Sequence, residues 1–236
     1  MFEIDTSTLS GVLSSLWQLA GGALRMDPNV YQAAVTQPGG TELAIFLLFL
    51  AGLSVTLGQS VVLFANRIRR QRFILSLVVF AAVFVVGALA WAATIWLMAN
   101  WIFDVERDIW SVITVVALSY SPFLFGLLIL LPYLRNIISA GLRIWVFLNV
   151  LIAIQGLYSF HFFAALIASV LGWLLIELLT QLKFLRIDRL DDWIWRVTTG
   201  TPQELKPKDM VSKYIEMVKR PVTETPQEQT NKESKL

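Results

Sequence analysis

Five long apolar segments, each with charge pushed out to its ends, constrain this chain more than any motif does. They run from Leu43 to Asn66, Phe73 to Phe103, Ser111 to Leu134, Asn136 to Gln155 and Phe160 to Leu182. Crossing the hydrocarbon core takes about 20 predominantly apolar residues, and every segment meets that length. Only Arg143 and Glu177 lie inside the segments, while eleven of the 19 Lys and Arg follow residue 182. Hydrophobic residues make up 56% of the 236 and charged residues 15%, with a mean hydropathy of +0.66. Soluble domains carry roughly 25% charge. The pattern predicts an all-α fold: a polytopic membrane bundle of about five transmembrane helices, with interfacial amphipathic helices at both ends.

Four regions follow. Residues 1–41 read as an N-terminal amphipathic helix and a turn-rich connection, 42–182 as the bundle, 183–219 as cytoplasmic amphipathic helices, and 220–236 as a disordered tail. In the first, Leu9, Val12, Leu13, Leu16, Leu19, Ala20 and Ala23 recur at helical spacing, with Ser10, Ser14, Ser15 and Gln18 on the other face. Two readings stand: a helix lying in the membrane surface, or one packed on the outside of the bundle. Asp27-Pro28 through Gln37-Pro38-Gly39-Gly40 reads as connection. Thr41 is the expected N-cap of span one. Span two exceeds the bilayer and must tilt, kink or project. It ends with Trp96 and Trp101 near the interface. After residue 182, Phe184, Ile187, Leu190 and Ile194 alternate with Arg186, Arg189, Asp192 and Arg196. With Trp193 and Trp195 added, this reads as an interfacial helix. From Arg220 the polar, Pro-containing composition predicts disorder.

Loop charge sets the expected orientation. The first turn holds Arg67, Arg69, Arg70 and Arg72, the third holds Arg135, and the tail opens with Lys183, Arg186 and Arg189. Alternation puts these in the cytoplasm and the N-terminus outside. The N-terminus is acidic where a secretory signal would be basic.

Ionisable groups at membrane depth are costly, which singles out Arg143 and Glu177. At about 1.5 Å per residue both lie roughly 8–10 Å inside the cytoplasmic edge of neighbouring antiparallel spans. They either pair or snorkel separately to the interface. Pro122, in Leu118-Ser119-Tyr120-Ser121-Pro122-Phe123, removes a backbone donor and bends its helix. The carbonyl it frees needs a partner, for which the adjacent serines are candidates. The break is a packing kink or the lining of a solute site. Ala164, Ala168 and Gly172 form a small-residue ridge for close helix packing. Gln59, Asn149 and Gln155 are intramembrane polar residues that either bond between helices or contact a pigment, and His161, at the outer interface among Tyr158, Phe160, Phe162 and Phe163, is either part of the aromatic belt or a pigment contact. No cysteine is present, and one histidine makes no multi-histidine metal site, so no metal or other cofactor is expected. No HExxH, GxSxG, Walker or dinucleotide-binding pattern occurs, and no span contains Asp, which excludes a paired-aspartate intramembrane protease. A net charge of +2 gives no reason to expect nucleic acid.

Three stretches together resemble the Ypt-interacting-protein (YIP) family: Asp27-Pro28-Asn29-Val30-Tyr31, Val116-Ala117-Leu118-Ser119-Tyr120-Ser121-Pro122 and Leu131-Pro132-Tyr133-Leu134. The resemblance spans about residues 22–182 and implies a five-helix bundle without catalytic activity. Eukaryotic members of that family act in vesicle traffic and bind small GTPases. Here the N-terminus is expected outside and an amphipathic tail is added, so GTPase binding is not carried over. The expected function is a non-enzymatic scaffold, assembly factor or accessory subunit, in contact with the lipid bilayer and docking membrane proteins on its cytoplasmic face. A small-solute transporter or channel, and a pigment- or lipid-binding subunit, are the alternatives.

Overall fold

The computed structural model describes residues 4–59, 70–131 and 133–181. Every regular element among them is helical, and they assemble into one all-α bundle. The helices are α1 (Leu9–Leu24), α2 (Pro28–Thr36), α3 (Gly40–Gly58), α4 (Arg70–Phe103), α5 (Ile109–Ser119), a 3₁₀ helix (Ser121–Leu130), α6 (Arg135–Tyr158) and α7 (Phe162–Gln181). Four stretches among the described residues are long and apolar enough to cross a membrane: Gly40–Gly58, Phe73–Phe103, Ile109–Leu130 and Arg135–Tyr158. In α7 the apolar run with described side chains, Phe162–Leu175, is shorter. The tail assigned to 183–219 and 220–236, with Trp193 and Trp195, lies outside the described residues.

The N-terminal region departs from its expected form in three places. Helix α1 starts where Thr8 caps it, the hydroxyl accepting from the Gly11 N–H at 2.9 Å. It packs on the bundle through Leu16, Leu19, Ala20 and Ala23, as one of the two readings required. Ser15, assigned to the outer face, is buried instead, and its hydroxyl accepts from the Asp5 N–H at 2.9 Å. The connection after residue 27 is not all turn, because residues 28–36 form α2. Asp27 caps it by accepting from the Asn29 N–H at 3.0 Å, and Pro28 opens the first turn, where its missing N–H costs nothing. Nor is Thr41 the cap of α3. Gly39 takes that position with φ +82°, a left-handed conformation natural to glycine, and the Thr41 hydroxyl bonds that of Thr114 at 2.8 Å.

Helix α4 carries a predominantly apolar stretch of 31 residues from Phe73, about 46 Å of helix against a core of roughly 30 Å. Near its end the Trp96 indole donates to the Arg107 carbonyl at 2.8 Å, and Trp101 stays exposed. The third span is two pieces rather than one kinked helix: α5 stops at Ser119 and a ten-residue 3₁₀ helix continues to Leu130. Such runs rarely exceed 3–4 residues, so this one marks the span as unusual. It packs chiefly on α3, with α6 on another side. A β-carbon at Gly58 would collide with the Gly126 carbonyl, and one at Gly126 would come within 2.7 Å of the Val55 backbone. The two elements therefore touch main chain to main chain. Helix α7 packs on α4 and α6.

Candidate functional site: the break in span three

Proline cannot donate to the carbonyl one turn back, and at Pro122 the orphan would be the carbonyl of Leu118. The Ser121 hydroxyl donates to it at 2.6 Å. This is the role expected of a neighbouring serine. Ser119 bends back likewise, its hydroxyl donating to the Val115 carbonyl at 2.7 Å. The Ser119 carbonyl accepts from Asn149 Nδ2 of α6 at 3.4 Å. Further along, Ser54 of α3 reaches into the 3₁₀ helix. Its hydroxyl donates to the Leu124 carbonyl at 2.7 Å and accepts from the Leu127 N–H at 3.0 Å. One hydroxyl thus satisfies two main-chain groups of a neighbouring span, as a lipid environment demands.

Aromatic rings brace the break from the other side. Tyr120 meets Phe84 edge-on at 5.5 Å, Phe123 at 5.7 Å and Trp91 at 6.1 Å between centroids. Such pairs add rigidity beyond the area they bury. The chain is rigidly held where it is broken.

On the α2 side, Tyr31 and Asn149 are fully buried, yet the Tyr31 phenol oxygen and Asn149 Oδ1 have no hydrogen-bond partner. Burial pushes the Tyr31 phenol far above its ordinary 10.0, and the Ser119 hydroxyl opposes that rise from beyond bonding distance. A cavity of about 350 Å³ adjoins Tyr31, lined also by Gln32, Arg107, Val115, Ala153 and others. A larger cavity of about 620 Å³ lies on the Tyr120 side, walled by α4, α6, α7 and the break, with Arg143 on its rim.

Arg143 is exposed on α6. Glu177 belongs to α7, and its side chain lies outside the described residues, as do those of Arg70 and Arg72 at the start of α4. Arg67 and Arg69 lie outside altogether. The small-residue ridge packs within the chain: Ala168 is buried, Ala164 half-buried, and a β-carbon at Gly172 would come within 2.8 Å of Ile95 Cγ1. The Thr94 hydroxyl crosses from α4 to the Gly172 carbonyl at 3.0 Å. Gln59 is exposed at the end of α3, Gln155 is half-buried, and His161 is exposed. Among the described residues no three His, Asp or Glu cluster to hold a metal. Sequence reasoning missed Ser54 and Trp91. A lone serine in an apolar helix carries no sign of a partner 70 residues away.

No family model, curated protein or solved structure matches the chain.

Proposed function

We propose that this chain is a non-enzymatic integral membrane protein of YIP-like type, a scaffold, assembly factor or accessory subunit with five crossings, its N-terminus outside and its C-terminus cytoplasmic. Two of the stretches that carry the family resemblance lie at helix starts in this fold. The Asp27-Pro28 and Ser121-Pro122 motifs each begin a helix, and the Tyr31 and Ser119 they accompany are buried close together. The scaffold reading rests on one observation. Helix α1, with its other face packed on the bundle, presents Leu9, Leu13 and Trp17 outward at 85%, 67% and 82% exposure. These residues recur every four positions and make one apolar stripe on a helix outside the spans. The cytoplasmic docking face built on Arg67, Arg69 and the tail rests on residues outside the description, so α1 is the surface to test first.

The test places a photo-crosslinking amino acid at Trp17 in native membranes. Discrete adducts with one protein, recovered with the full chain in mild detergent, are expected. Adducts with lipid alone would defeat the reading.

A second reading, a small-solute pathway, draws on the discontinuous third span with unpartnered polar atoms beside it. Liposome flux abolished by Asn149→Leu would favour it.

A further inference from the structure

The 620 Å³ cavity combines features that the packing of the bundle does not require. Its walls are apolar: Trp91, Phe123, Val146, Phe147, Val170 and Trp173. Among the described residues Arg143 is the only charged one lining it. Trp173 is 49% and Ile144 61% exposed, so the cavity opens sideways, toward the surroundings of the bundle. Its size falls within the roughly 300–1,000 Å³ usual for small-molecule sites. Trp91 is 7% exposed, yet its buried indole N–H has no partner. A buried indole normally finds an acceptor. Gly87 on the cavity wall leaves open space where a side chain would stand.

We propose that this cavity holds one anionic phospholipid, an acyl chain lying along the apolar walls and the phosphate meeting the Arg143 guanidinium. An arginine keeps its charge at any accessible pH and binds phosphate through a planar fork of donors. Arg143 lies eight residues from the start of α6, about 12 Å along the axis, and its flexible stem lets the cation rise toward headgroup level. A diffusing soluble anion would gain nothing from the apolar walls, whereas a lipid uses both. The inference needs the chain to lie in a membrane but does not need the partner assigned to α1.

The full chain, exchanged into nanodiscs of phosphatidylcholine and phosphatidylglycerol at 3:1 and released into mild detergent, is analysed by native mass spectrometry. Retention of one phosphatidylglycerol per chain is expected. Arg143→Gln should reduce the preference for phosphatidylglycerol by about tenfold, and Arg143→Lys should restore part of it. Gly87→Phe, projecting into the cavity, should abolish retention of either lipid. Gly141→Phe, also in open space but away from the cavity, should behave as wild type and report on folding. Retention surviving Gly87→Phe, or an unchanged preference in Arg143→Gln, overturns the proposal. So does displacement of the lipid by inorganic phosphate, which would mark a soluble-anion site. If Glu177→Gln is needed before any phosphatidylglycerol is retained, the Arg143–Glu177 ion pair fills the cavity's charge and the proposal fails.

Discussion

Hydroxyl groups do unequal work around the broken span. The Ser54 hydroxyl bonds a donor and an acceptor of the 3₁₀ helix at once, so Ser54→Ala removes two cross-links to that helix, at the Leu127 N–H and at the Leu124 carbonyl. Losing neutral bonds of this kind costs about 0.5–1.5 kcal/mol each, and denaturant unfolding in mixed micelles should register a loss of that order. The Tyr31 hydroxyl is the opposite case. It is buried without a partner, so Tyr31→Phe should leave stability unchanged or raise it by about 1 kcal/mol. A clear loss in that variant would mean that the phenol has a hydrogen-bond partner, with the Ser119 hydroxyl as the candidate. The two proteins should also diverge with pH in a definite direction. Because the folded phenol titrates above its ordinary 10.0, wild type and Tyr31→Phe respond alike below that pH. Above it the unfolded phenol ionises while the folded one stays protonated, so wild type loses stability more steeply than the variant as pH rises.

Among the elements, glycine separates contact from vacancy. Gly126 lies against the main chain of α3, and Gly126→Ala should destabilise by about 1–3 kcal/mol through overpacking. Gly87→Ala faces open space on α4 and should stabilise by up to about 1 kcal/mol through helix propensity. Thermal unfolding of both variants reads the contrast directly. The same elements show what a sequence discloses. The apolar spans were legible because lipid leaves a long compositional mark, and α4 was expected from Phe73 and runs to Phe103 as read. Helix α2 was hidden because Asp27-Pro28 serves equally as a turn or as a cap and first helical residue. The change from α to 3₁₀ geometry was hidden too. Pro122 announces a disturbance, but from Phe123 to Leu131 nearly every side chain is apolar, so no periodicity distinguishes one helical pitch from another. At the site, Pro122, Asn149 and the serines beside the proline were legible as types. Their partners were not, since Asn149 and Ser119 meet across 30 residues and Ser54 and Leu127 across 73.

For the molecule as a whole, the five crossings proposed above require the loops to alternate sides. The chain contains no cysteine, so single cysteines can be read without a background. Glu106→Cys and His161→Cys, both exposed, should react with a membrane-impermeant maleimide from outside, and Tyr133→Cys, 97% exposed in the native residue, only from the cytoplasmic side. Labelling of Tyr133→Cys and His161→Cys from the same side would remove α6 from the count of crossings. The contact made by Ser54 bears on how the protein comes into being. Translation delivers α3 well before Leu124 and Leu127 leave the ribosome, so the acceptor seat for the later segment already waits in the bilayer when that segment arrives. A shortened chain lacking α3 would insert its third hydrophobic segment without the neighbour that anchors it, and the quality-control proteases of the membrane should clear it faster than a chain shortened from the other end.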